Sequence, residues 1–311
     1  MGLSRKIYVF AFIMIVSFVA GTITNKGFLF IPYLKLFLIF IIFSVGYTIK
    51  LQDFSKKIKE CKLLIFKLTC LRLLMTPLLA TLINFMLQMP ADYATGIFYL
   101  GIVPPAMISI VFSMMFGGDY IINIMATFIS MLLAPITIPL FSFFLYHIAP
   151  EISVLSSILN LILILIVPIC FGLLGRIIIK PTIVIEKIFD YIIIGSVAVI
   201  ICTISSVNNS NLLGGFFHLS LALLLFYTMV FFIGSKIINL LITKQERIAI
   251  SARNELCLND CALSSSLASN YSHAAMLPSA LASILQIIII SFLSLLKNFS
   301  RRTIKYEKIF I

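Results

Sequence analysis

The feature that most constrains this chain is a recurrence. Apolar stretches of about 20 residues, each long enough to cross a bilayer, follow one another along nearly the whole length with short polar connections between them. They lie near 7–24, 28–48, 63–88, 93–116, 119–146, 153–174, 188–207, 214–235, 248–269 and 274–296. No soluble domain fits between them; the longest polar stretches are a loop over 50–62 and the tail after Leu296. Of 311 residues 61% are hydrophobic and 11% are charged. Soluble domains carry about 25% charged residues, so a buried core alone does not explain the excess. The expected fold class is an all-α polytopic membrane protein of about ten transmembrane helices.

The formal charge of +12 does not point to nucleic acid, because the basic residues sit at span ends rather than along a groove. With the N-terminus inside, nearly all Lys and Arg fall in or at the border of the cytoplasmic loops and termini, among them Arg5, Lys56, Arg176, Arg247 and Lys305. The opposite side holds only Lys26, and Lys35, Lys67 and Arg72 fall inside spans. This bias places both termini in the cytoplasm, with a basic cytoplasmic tail over 297–311; with no transit peptide visible, a bacterial inner membrane is the expected location. Arg5 and Lys6 precede an apolar run as in a signal peptide, but no clean A-x-A site follows, so the run is read as a retained first helix. The six cysteines form no CxxC pair and read as reduced thiols. Cys257 and Cys261, four apart, leave a soft-metal role open. No organic cofactor is expected.

Both halves, about 1–147 and 152–296, have five spans. Five is odd, so the second half starts on the opposite side and runs as an inverted repeat. Inverted repeats are a transporter architecture in which broken helices meet at the bilayer midplane. The fourth span carries Pro104 and Pro105 near its start, and two consecutive prolines break a helix. The ninth carries Glu255, Asn259 and Asp260 in an apolar run. A charge at the bilayer centre costs about 2.5–3.5 kcal/mol on insertion scales, so such residues need water, an ion or a partner.

Three stretches in order resemble the bile acid:sodium symporter family. Gly46-Tyr-Thr-Ile-Lys50 with Asp53-Phe54 is similar to the family's G-L-T-L-x-x-x-D-F. Pro104-Pro-Ala-Met-Ile-Ser-Ile110, followed by Gly117-Gly-Asp119 and Leu132-Leu-Ala-Pro135, stands where the family has P-G-G-T-A-S-N, K-G-D and L-L-A-P. Glu255-Leu-Cys-Leu-Asn-Asp260 resembles E-x-G-x-Q-N. The resemblance implies a panel of spans 1, 2, 6 and 7 and a core of spans 3–5 and 8–10, with the fourth and ninth helices unwinding and crossing. It also implies alternating-access transport of an organic anion, with Na+ as coupling ion.

Carried over by position, the implied ion ligands are Ser109, Asn123 (where a serine is usual), Thr127 and Glu255, with Asn259 in place of glutamine and Asp260 in place of asparagine. The family asparagine after the serine is Ile110 here, which offers no oxygen. In the third span the family's Q-F-x-x-M-P corresponds to Arg72-Leu-Leu-Met-Thr-Pro77, so Arg72 takes the glutamine's place. A guanidinium there is a fixed cation. The expectation is that Arg72 replaces one sodium by pairing with Asp260 or Glu255; the alternative is that it snorkels to the cytoplasmic interface. Coupling to a proton or to no ion, an arsenite-type efflux permease and a non-transporting relative are the competing functions. An enzyme is not expected, since Phe116 precedes Gly117-Gly-Asp119 and no G-x-G-D signature forms.

Overall fold

The computed structural model describes residues 3–24, 27–48, 51–106, 108–146, 154–179, 182–207, 209–286, 288, 289 and 292. Among them the secondary structure is helical, apart from one isolated antiparallel bridge. The helices are α1 (Leu3–Thr24), α2 (Leu34–Thr48, entered through a 3-10 turn over Gly27–Tyr33), α3 (Leu51–Met86), α4 (Ala91–Ile102), α5 (Ile108–Met115) and α6 (Tyr120–Tyr146). There follow α7 (Val154–Leu161), joined by a π-turn to α8 (Val167–Ile178), then α9 (Ile183–Val207) and α10 (Asn209–Ile237). The last are α11 (Glu246–Cys257), α12 (Cys261–Ala268) and α13 (Ala274–Gln286). Five helical stretches are long and apolar enough to cross a membrane: Cys61–Met86, Tyr120–Phe144, Ile158–Ile178, Lys187–Val207 and Phe217–Ile242. The chain is thus a multi-pass membrane protein by length and composition. The expected tail over 297–311, Lys26, Lys50, Met107 and Lys180 lie outside the described residues.

One sequence expectation needs correcting. The polar stretch over 50–62 is not a loop: from Leu51 it is the start of α3, which runs unbroken for 36 residues. Lys, Gln and Glu are good helix formers, and nothing in the segment caps or breaks a helix. At 1.5 Å per residue α3 is about 54 Å long, well beyond the roughly 30 Å of hydrocarbon it has to cross.

Two groups of helices pack among themselves. α1 lies on α9, and α2 on α8 and α9. Glycines allow the close approach there: a Cβ on Gly172 of α8 would strike the Phe43 carbonyl of α2, and one on Gly21 of α1 would strike Ser205 and Cys202 of α9. The other group sets α3 against α4, α6 and α10, α11 against α5, α6 and α10, and α12 against α4. Its apolar core includes Leu68, Phe112, Met125, Phe226 and Leu256.

Two pairs of helices are short by interruption. α4 and α5 have 12 and 8 residues, and so do α11 and α12. α4 stops because Val103 precedes Pro104: the residue before proline is pushed out of the helical region, and Val103 sits at φ −69°, ψ 152°. α11 stops at Leu258, extended at φ −106°, ψ 105°. α12 then restarts behind Asp260, whose side chain accepts hydrogen bonds from Ala262 and Leu263 N–H as an N-cap.

Candidate ion and substrate site

The two interruptions meet. Pro105 and Asn259 form the antiparallel bridge; Ala106 N–H donates to the Leu258 carbonyl at 2.8 Å and Asp260 N–H to the Pro104 carbonyl at 3.1 Å. Irregular backbone is tolerated at membrane depth only where protein or water satisfies it, and each break satisfies part of the other. Val103, Pro104, Pro105, Asn259 and Asp260 are all buried. Gln286 of α13 clamps the second break: its Oε1 accepts from Asn259 N–H at 2.9 Å and its Nε2 donates to the Asn259 carbonyl at 3.2 Å.

Helix ends leave carbonyls without intrahelical donors, and here a guanidinium reaches those of both halves. Arg72, on α3, is 2% exposed. Its Nη1 donates to the carbonyls of Glu255 and, at 3.1 Å, of Leu256 at the end of α11. Its Nη2 donates to the Val103 carbonyl at the end of α4 at 2.9 Å and to Asn259 Oδ1 at 2.8 Å. The Thr76 hydroxyl, one turn on, lies 2.8 Å from the Arg72 carbonyl and 2.6 Å from the Gly101 carbonyl and shares its one proton between them, tying α3 to α4 at this level. The arginine does not snorkel. Nor does it hydrogen-bond the carboxylates expected from the sequence: it takes the Glu255 backbone oxygen, while Asp260 is engaged in capping α12. The reason is geometric, since the carbonyls of two helix ends converge where the arginine arrives.

Beside the crossing lies a polar cluster on α5, α6 and α11. Asn123 Oδ1 accepts from Ser109 Oγ at 2.9 Å and from Thr127 Oγ1 at 3.3 Å. Asn123 Nδ2 donates to Ser113 Oγ at 2.8 Å and to the Ser251 carbonyl at 3.2 Å. Asn254 Nδ2 donates to the same Ser113 hydroxyl at 3.3 Å. Ser109, Asn123 and Thr127 are therefore brought together, and Ile110 beside them is buried and adds no oxygen. Glu255 is on the same face of α11 as Ser251, four residues earlier. It is fully buried, and among the described residues neither of its carboxylate oxygens has a hydrogen-bond partner. An ionised carboxylate buried without donors is costly, so this position suits a cation.

Ser113, Ser251, Asn254, Thr76 and Gln286 were not anticipated from the sequence. The signal was available for two of them, because Ser113 follows Ser109 by one helical turn and Gln286 is the lone carboxamide of the last span. Among the described residues no three His, Cys, Asp or Glu side chains gather, and Cys261 Sγ contacts the Asn259 carbonyl at 3.5 Å. Lys67 reaches the Leu241 carbonyl at 3.5 Å from an exposed position.

Helices broken and crossed inside a polytopic membrane protein, with polar side chains converging on the break, define a secondary-transporter type of site. The sequence model of the Sodium Bile acid symporter family matches residues 35–213, and the chain belongs to that family. It is also similar to the uncharacterized sodium-dependent transporter YocS of Bacillus subtilis (strain 168), at 26% identity over 258 residues covering 81% of this chain and 78% of that protein. The family match ends before α11, so Glu255, Asn259 and Asp260 enter the site on geometry rather than on that match.

Proposed function

We propose that the protein is a sodium-coupled secondary transporter that moves a small organic anion across the membrane by alternating access. The observation that carries this reading is the buried Glu255 carboxylate without a hydrogen-bond donor, beside the antiparallel crossing of two broken segments. In this reading Glu255, with the Thr127 and Ser109 hydroxyls and the Asn123 carboxamide oxygen, holds a sodium ion, and anion and ion bind together at the crossing. The family and the sodium-dependent relative support it.

The chain is read as ten spans in two inverted five-helix repeats, the fourth being α4–α5 and the ninth α11–α12. The equal division of both broken spans into 12 and 8 residues supports the repeat. The packing of α1, α2, α8 and α9 on one another supports a panel of α1, α2, α7–α8 and α9 moving against a core of α3–α6 and α10–α13. The charge bias supports cytoplasmic termini.

The test is the melting temperature of the purified protein in sodium chloride against choline chloride at equal ionic strength. A ligand that binds only the folded state stabilises it by RT ln(1 + [L]/Kd). A sodium-specific rise that Glu255→Gln abolishes is expected; no sodium-specific rise in the wild type would remove sodium from the proposal.

A further inference from the structure

Arg72 has the surroundings of a bound metal cation. All four of its acceptors are oxygens: the carbonyls of Val103, Glu255 and Leu256 and the carboxamide oxygen of Asn259. Three are backbone groups at the C-terminal ends of α4 and α11. Each helix C-terminus carries roughly half a negative charge, and unwound carbonyls at such ends are the ligands that broken transporter helices offer to a monovalent ion. The guanidinium keeps its proton at any physiological pH, so the charge it places there is permanent. Its stem is fixed by burial, and the Thr76 hydroxyl holds the backbone of its turn. Among the described residues the Glu255 carboxylate oxygens take no hydrogen bond, from Arg72 or any other donor.

We propose that Arg72 is a resident cation: it fills, with a covalently attached charge, a carbonyl cage that would otherwise take a sodium ion, and so removes one ion from the coupling stoichiometry. The inference rests on the sodium-coupled reading above and concerns the number of ions rather than their presence. It also predicts that transport by the wild type carries one fewer positive charge per cycle than transport by a variant in which the cage is free, because a tethered cation resets without crossing.

The experiment counts radioactive sodium bound per full-length chain at saturation in detergent, for the wild type, Arg72→Gln and Arg72→Lys. The expected counts are one for the wild type, two for Arg72→Gln and one for Arg72→Lys, whose ammonium keeps the charge. A wild-type count of two overturns the proposal whatever the variants do. Equal counts in wild type and Arg72→Gln also overturn it, while leaving sodium coupling in place if both bind one. No sodium in the wild type with one in Arg72→Gln sustains the resident cation and removes sodium coupling instead. Recovery of Arg72→Gln in sodium but not in choline is the same supporting result read as stability; its loss in both salts overturns the proposal.

Discussion

Replacing Gln286 by leucine removes a clamp on the second broken segment while keeping much of the side-chain volume. The glutamine accepts from Asn259 N–H at 2.9 Å and donates to the Asn259 carbonyl at 3.2 Å, and Tyr227 Oη approaches its Oε1 at 3.4 Å. The carbonyl retains the weak Cys261 thiol contact; the N–H is left buried without an acceptor. Such an orphaned group costs about 1–3 kcal/mol, whereas side-chain hydrogen bonds inside membrane proteins average only about 0.6 kcal/mol. A loss of about 2 kcal/mol lies between these limits. At about 2–4 °C per kcal/mol for a chain somewhat smaller than this one, the melting temperature should fall by roughly 4–8 °C. The chain has no tryptophan but six cysteines, with Cys257 buried in the core, so a thiol-reactive fluorophore reports unfolding. Cys261→Ala removes two weak sulfur contacts, to the Asn259 carbonyl and to Gln286 Nε2, and should shift the melt less. A Gln286→Leu protein melting within about 1 °C of the wild type would refute the clamp.

Other outcomes separate the roles assigned at the crossing. Asp260→Asn should cost little as a cap and Asp260→Ala about 1 kcal/mol, read as melting temperatures; equal, large losses in both would mean that the charge itself is needed. Because Arg72 meets the Asp260 carboxylate only through space and not in a hydrogen bond, the double variant Arg72→Gln/Asp260→Asn should lose nearly the sum of the single effects on stability; full rescue would mean that the two side chains form a direct pair. Thr76→Val should lower stability by about 1 kcal/mol through loss of the α3–α4 tie, measured by the same melt, and an unchanged melt would contradict that tie. Gly96→Ala drives a Cβ into the Ala275 carbonyl and Pro278. Overpacking of this kind costs about 1–3 kcal/mol, so its melting temperature should fall, and a neutral result would show that α4 and α13 yield there.

Much of this arrangement is legible in the sequence because membrane chains announce themselves. Apolar runs locate the helices, and Pro104-Pro105 and the polar run Glu255–Asp260 fall where the structure breaks them. The start of α3 was not legible. Charged residues over 51–62 are compatible with a loop or with a helix leaving the membrane, and hydropathy does not separate the two. The partner of Arg72 was not legible either. Sequence offers side chains as partners, and the nearest opposite charges were Glu255 and Asp260. The backbone oxygens that Arg72 actually takes are freed only when α4 and α11 end at the same place in space. The capping role of Asp260 likewise depends on where α12 restarts, one residue later.

In the proposed function an anion and a sodium ion move together through this crossing. The measurement that tests it most directly is uptake of a panel of radiolabelled organic anions into proteoliposomes, with an inward sodium gradient and with sodium equal on both sides. The account predicts that at least one anion accumulates above equilibrium only under the gradient, and that Glu255→Gln abolishes the accumulation. Anion entry that is indifferent to the gradient, or accumulation that survives Glu255→Gln, would contradict it.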